Sequence, residues 1–230
     1  MNSFYKYTRF LLLIMLALML HTTAVAHTEE LGSKYPIEII NSQQGGGLVL
    51  MFSGDGGSNT ANKAMATSIS QTGNTVLLLN SNKYFWNQKT PEQLAKDVEE
   101  IVWYYMRRMN KVKFSIVGYS FGADVAAFLP RRLSAAIKEK LQLTILLSPS
   151  ASTDFVIRVA DMLSITAKKR KYSVLDEIKQ TPDKLICVVG KEDEVSQQLK
   201  AMNARLLVLS GGHNFDNKFT LLAAELKKIM

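Results

Sequence analysis

The chain has 230 residues, of which 47% are hydrophobic and 21% charged, and a formal net charge of +8. That length and balance describe a globular domain with a substantial core and exclude a largely disordered chain. The charge is modest for the size, so no nucleic-acid partner is expected, and the single cysteine, Cys187, excludes an internal disulfide.

Lys6 and Arg9, the apolar run at 10–20 and the small-x-small triplet Ala24-Val25-Ala26 read as a cleavable secretory leader over residues 1–26. The run is short for a membrane span, which needs about 20 residues; an uncleaved anchor is the alternative. Export to the periplasm follows. Cleavage removes two positive charges and no negative ones, which lowers +8 to +6. It also discards His21 and leaves His27 at the new N-terminus, so His213 is the one histidine inside the folded body.

Residues 27–230 carry no repeat or Pro/Gly-rich linker and read as a single domain, with a small cap insertion expected within 150–183. Residues 36–40 and 47–52 suggest opening strands, 59–72 a helix and 74–80 a strand. Thr90 caps and Pro91 opens a helix whose Leu94, Val98, Ile101, Val102, Tyr105 and Met109 fall on one face. A strand at 113–118 ends at a serine turn, and a helix runs from Phe121 to Pro130, with a shorter one across 131–141. Strands at 143–150, 184–190 and 205–211 follow, then a helix over 217–229. Cys187 falls in the middle one of these strands, as a buried, inert thiol.

Unbroken apolar strands alternating with helices predict an α/β architecture with a mostly parallel, doubly wound sheet. Ligands bind such sheets beyond the carboxyl ends of the strands. The glycine and polar irregularity collects there: 53–57, 80–86, 118–122, 148–154, 190–193 and 210–213.

Gly118-Tyr119-Ser120-Phe121-Gly122 fits the G-x-S-x-G turn that presents a serine between strand and helix. A serine nucleophile needs a base, and the base needs a carboxylate to orient it. Ser120, Asp193 and His213 follow successive strand ends in the order serine, acid, histidine, as in α/β-hydrolases. Glu192 and Glu194 stand beside Asp193 as alternative acids; Asp193 is favoured by its place three residues after Gly190. The N–H of Phe121 and that of Asp55 or Gly56, in the glycine-rich run 53–57, are the expected oxyanion donors. That run lacks the lysine of a phosphate-binding loop. One histidine and one cysteine cannot build a typical zinc site, so neither metal nor cofactor is expected.

The blocks "MFSGDGG" (51–57), "YFWNQKTPEQ" (84–93), "VGYSFGADV" (117–125), "ICVVGKED" (186–193) and "GGHNFD" (211–216) resemble the signature blocks of the VirJ/AcvB family, exported virulence-associated proteins with an α/β-hydrolase-like domain. The resemblance spans nearly the whole mature chain. It implies an α/β-hydrolase fold, Ser120, Asp193 and His213 in catalytic positions, and hydrolysis of aminoacylated phosphatidylglycerol in the bacterial envelope. It also implies a link to type IV secretion. Two departures border the expected pocket: Ser58 stands where many members carry Trp, and Asn82-Lys83 where Leu-Arg is usual. The expected partner is a phospholipid or other ester at the membrane surface, with Asp55, Lys83, Tyr84, Tyr119 and Asp154 as substrate-binding candidates and the basic run 168–171 near its phosphate. An adaptor of a secretion apparatus on a hydrolase scaffold, or a general lipase or carboxylesterase, are the competing expectations.

Overall fold

Strands built from unbroken aliphatic runs are stable only where both of their faces are covered. Leu48–Phe52 (β2), Thr75–Leu79 (β3) and Leu185–Gly190 (β8) are buried at every residue, and Phe114–Tyr119 (β4) and Leu141–Leu147 (β5) at nearly every one. With Ile37–Ile40 (β1) and Leu206–Leu209 (β9) they form a seven-stranded sheet in the order β1-β3-β2-β4-β5-β8-β9. β1 lies antiparallel to β3, and every other pairing is parallel. Ser152–Thr153 (β6) and Tyr172–Ser173 (β7) form a separate antiparallel ribbon. The structure is a computed structural model and describes residues 34–157, 170–181 and 183–230, with Met15. The leader's cleavage site, Lys168 and Lys169, and the 158–169 part of the expected cap lie outside the described residues. Among the described residues no helix is long and apolar enough to cross a membrane.

The helices in chain order are α1 (Thr60–Ser70), α2 (Ser81–Tyr84), α3 (Pro91–Arg108), α4 (Phe121–Ala126), α5 (Leu129–Arg132), α6 (Ala135–Lys138), α7 (Val174–Lys179), α8 (Val195–Ala201) and α9 (Phe219–Lys227). α1 and α9 pack on each other, and Met65, Ile69, Phe219, Leu222 and Leu226 cover Val49, Met51, Val117 and Val188. α3 begins with the expected capping box: Thr90 Oγ1 accepts from the Gln93 N–H and Gln93 Oε1 accepts from the Thr90 N–H, at 3.1 and 2.9 Å.

Several elements differ from the sequence expectation. Met106, four residues after Val102, takes the buried place expected for Met109, which is the C-cap of α3. The helix expected from Phe121 to Pro130 stops at Ala126 and restarts at Leu129. Pro130 then sits in the first turn of α5, where its missing N–H leaves no bond unmade. β5 starts at Leu141 and ends at Leu147, because Ser148 has φ +48° and cannot continue a strand. α2, α7, α8 and the β6–β7 ribbon were not anticipated.

After β2 the chain goes to β3 on one side and then to β4 on the other. The sheet reverses its winding between β2 and β4, and Phe52 pairs with Gly118 there. The glycine-rich run after β2 and the serine turn after β4 therefore flank one crevice.

Candidate active site

The strand β4 hands directly to α4 at Ser120, with no loop between them. That abrupt turn forces Ser120 to φ +53°, ψ −121°, a conformation costly for a non-glycine residue. Its N–H donates to the Leu147 carbonyl at 2.9 Å, and its own carbonyl accepts from Ala123 and Asp124. The flanking glycines are needed for close approach. A Cβ on Gly118 would stand 2.3 Å from the Gly122 carbonyl oxygen, and one on Gly122 would stand 2.4 Å from that of Phe52. The motif is thus a steric requirement of a strand, a turn and a helix crowded together.

His213 follows β9, three strands from β4, and has to reach back across the ends of β8 and β5. Gly190 makes this possible. A Cβ there would lie 2.3 Å from the carbonyl oxygens of both Gly211 and Gly212, so the histidine loop crosses the end of β8 in contact with it. Gly211 adds a backbone turn at φ +95°. The imidazole Nε2 then lies 3.0 Å from Ser120 Oγ, and Nδ1 lies 3.2 Å from Asp193 Oδ2. The second contact is an ion-pair distance without the alignment of a full hydrogen bond; such contacts tighten when a substrate binds.

The electrostatics agree with these distances. Asp193 beside it raises the His213 pKa above the ordinary value, against the opposing effect of burial. Burial pushes the Asp193 carboxyl up, but the His213 and Ser148 side chains outweigh it and hold it below its usual range. Glu192 and Glu194, the alternative acids, are exposed on the wall of a neighbouring cavity.

In the run after β2, the Gly54 N–H donates to Asn62 Oδ1 and the Gly57 N–H to the Gly54 carbonyl. Neither Asp55 nor Gly56 donates its N–H to an acceptor among the described residues, and neither does Phe121. Asn82 fixes the loop by donating to the Asp55 carbonyl at 2.8 Å. Asn82 is one of the departures from the resemblance noted above, and it here serves as a support of the loop. A Cβ on Gly54 would lie 3.7 Å from that of Ser120, so the loop passes directly beside the serine.

A cavity of about 440 Å³ opens beside His213, lined by Pro149, Ser150, Ala151 and the Glu192–Val195 turn. Of the expected substrate contacts, Tyr119 lies in the site, its ring 5.9 Å from that of His213. Burial raises the Tyr119 pKa, with Asp55 and Asp193 adding to the shift. Asp55 and Lys83 are exposed. Tyr84 is not brought to the site: it is buried, with its hydroxyl 2.5 Å from Asp97 on α3 and Lys89 over its ring. Asp154 Oδ1 accepts from the Lys171 N–H at 2.7 Å and, like Tyr84, is not among the residues that wall the cavity. The sequence places 148–154 and 190–193 at the ligand-binding edge and offers Glu192 and Glu194 as alternative acids, but nothing in it marks them as one cavity wall. Cys187 is buried as expected, and burial pushes its thiol up to about 12. Among the described residues no cluster of His, Cys, Asp and Glu could hold a metal ion.

Residues 47–230 match the family described as bacterial virulence protein (VirJ). The chain belongs to the VirJ family. The resemblance carried by the five sequence blocks is therefore borne out. No curated protein matches the chain. Solved structures similar to this VirJ-family chain include Est1E from Butyrivibrio proteoclasticus, with 14% identity and a TM-score of 0.59 over 84% of this chain and 91% of that one. The proline iminopeptidase of Mycobacterium smegmatis has 13% identity and a TM-score of 0.59 over 84% and 92%. The α/β hydrolase GrgF from Penicillium sp. sh18 has 14% identity and a TM-score of 0.62 over 84% and 93%. Likeness at that identity shows the fold, and the fold is that of an α/β-hydrolase.

Proposed function

We propose that this VirJ-family protein is an exported serine esterase that cleaves the aminoacyl ester of aminoacyl-phosphatidylglycerol at the periplasmic membrane surface. The observation that carries the reading is the line of contacts Ser120–His213–Asp193, at 3.0 and 3.2 Å, beside the N–H groups of Phe121, Asp55 and Gly56, which have no acceptor among the described residues.

Each step uses those groups. Ser120 Oγ attacks the aminoacyl carbonyl while His213 Nε2 takes its proton. The carbonyl π electrons move onto oxygen, where the N–H groups of Phe121 and of Asp55 or Gly56 stabilise the charge. Collapse breaks the bond to the glycerol oxygen, which leaves with the proton from His213. Water then gives its proton to His213 and attacks the acyl-serine, and the proton returns to Ser120 Oγ as the amino acid departs. Asp193 keeps the imidazole oriented and stabilises its charged form throughout.

The substrate class is supported by charge and exposure. An aminoacyl ester carries an ammonium group, and Glu192 and Glu194 wall the cavity next to His213. Asp55 is a further acidic side chain near the crevice, and its influence reaches both Tyr119 and His213. A phospholipid headgroup carries phosphate, and Lys83 and Lys171 are exposed on segments beyond the same sheet edge. Trp86, 61% exposed near Lys83, suits the headgroup region of a bilayer.

The test is hydrolysis by the purified protein of a short-chain ester and of lysyl- and alanyl-phosphatidylglycerol in vesicles, beside Ser120→Ala. The reading expects release of the free amino acid from lipid by the native protein and none by the variant. Cleavage of the short ester alone would reduce the reading to an unspecified esterase. Cleavage of neither, or undiminished cleavage by folded Ser120→Ala, would end it.

A further inference from the structure

One helical turn after the nucleophile lies a carboxyl group with no place in the chemistry above. Asp124 on α4 is fully buried, and burial raises its pKa to about 7. A buried carboxyl is costly unless its contacts compensate. Its Oδ1 accepts from the Ser150 N–H at 2.5 Å, its Oδ2 has no hydrogen-bond partner among the described residues though the charges of Arg170 and His213 act on the carboxyl, and its own N–H donates to the Ser120 carbonyl at 3.0 Å. A single residue therefore ties the turn that carries the nucleophile to the turn that leaves β5.

That second turn serves the site in two ways. Ser148, held at φ +48°, gives its N–H to the Val188 carbonyl and brings its hydroxyl close enough to Asp193 to help lower that carboxyl's pKa. Pro149, Ser150 and Ala151 form one wall of the cavity beside His213. Once β5 has ended, no neighbouring strand receives the Ser150 N–H, and the carboxyl oxygen of Asp124 takes that place.

We propose that Asp124 is a positioning residue, which through Ser150 fixes the turn after β5 relative to Ser120 and so keeps Asp193 and the cavity wall in register with the nucleophile. It rests on the reading of Ser120, His213 and Asp193 as a hydrolytic triad. A misplacement of about 1 Å at such a site costs roughly 100-fold in rate, so the effect belongs in kcat for a small ester as well as in the fit of a large one.

Three variants of the full-length protein test it, assayed with p-nitrophenyl acetate after thermal melts establish folding. Asp124→Asn keeps a carbonyl acceptor for the Ser150 N–H; Asp124→Leu keeps the forked shape, puts larger methyl groups where the oxygens stand and removes the acceptor. The expected result is a kcat lowered about 10- to 100-fold by Asp124→Leu and restored to within about threefold of native by Asp124→Asn. Hydrogen exchange separates this from a role in packing: in Asp124→Leu the Ser150 amide should quicken while the Ser148 amide, bonded to the Val188 carbonyl, stays slow, whereas a general packing defect loosens both. A folded Asp124→Leu with native kcat, or an Asp124→Asn no better than Asp124→Leu, overturns the proposal. If Asp124→Leu does not fold, hydrogen exchange in the native protein decides: a Ser150 amide protected like β5 supports the anchor, and one that exchanges like an exposed loop removes it. Ser120→Ala separates the two readings. If it is inactive while Asp124→Leu is unimpaired, only the positioning role fails; if it remains active, the triad reading and the positioning role both fall.

Discussion

Ser120 and His213 meet at 3.0 Å, yet the two regions that carry them are built differently. Ser120 is held where the central strand β4 meets α4, between a partly buried Tyr119 and the buried residues 114–118 and 121–126. His213 rides on a loop after β9, an edge strand in which every residue is half-exposed, and its own side chain is 49% exposed. The nucleophile is thus fixed by the packing of the core. The base is fixed by a short relay of local contacts: Gly190 makes room, Gly211 turns the chain, and Asp193 receives the ring. Damage to the first region should cost stability and activity together, and damage to the second should cost activity with little loss of fold.

The largest effects come from removing a group that acts chemically. Ser120→Ala is expected to lower ester hydrolysis by about 10⁴-fold or more, and Asp193→Asn by roughly 10³- to 10⁴-fold, since an amide cannot hold the imidazole in the working tautomer. Steady-state kinetics on a short-chain ester, with circular dichroism as the control for folding, measure both. If Asp193→Asn stays within tenfold of native, one of the glutamates on either side is the working acid.

Two glycine substitutions test the contrast itself. Gly122→Ala places a Cβ 2.4 Å from the Phe52 carbonyl oxygen, inside the core. It should cost about 1–3 kcal/mol of stability and most of the activity. Gly190→Ala places one 2.3 Å from two carbonyl oxygens of the histidine loop, which lies at the sheet edge and can move away. That variant should melt close to native while losing about 100-fold in kcat, because the loop shifts and carries His213 with it. Equal melting temperatures for the two variants would break the comparison.

The same contrast explains what could be read from the sequence. The serine turn was legible because its glycines report a local steric need, and the buried strands because an unbroken apolar run needs two covering layers. Spacing favours Asp193 over its glutamate neighbours by its place three residues after Gly190, and in the structure Asp193 Oδ2 lies 3.2 Å from the imidazole while both glutamates are exposed. Tyr84 stands among the substrate-binding candidates, but its hydroxyl donates to Asp97 on α3, and no local pattern encodes that pairing. The break between α4 and α5 was hidden for a related reason. Apart from Gly122 and Asp124, residues 121–129 are apolar, and the sequence carries no breaker at 127–128, where the first segment ends after Ala126 and the next begins at Leu129. Asp124 read as one acid in a helix, and its meaning appears only when Ser150 arrives from another strand.

The smallest predicted effect concerns pH, and it again falls on the histidine side. His213 must be neutral to accept the serine proton, and Asp193 raises its pKa above the ordinary value of about 6.5. The acid limb of kcat/KM should therefore have its midpoint above that value, and Asp193→Asn should move it downward. The sign for stability is opposite. A raised pKa means that the folded state binds the proton more tightly, so this contribution is fully present below about pH 6.5 and is lost as pH rises through the folded value. With the imidazole about half exposed, solvent screens the contact and the gain in stability is small. Across that window the protein should gain activity while it gives up a little stability, and His213→Ala should lack this part of the decline. Melting temperatures of native protein and variant across the window, set beside the native kcat/KM profile, measure both trends. If the two proteins melt in parallel while the native acid limb lies at or below 6.5, His213 is not held by Asp193 in solution, and the relay that sets the edge loop apart from the core turn is absent.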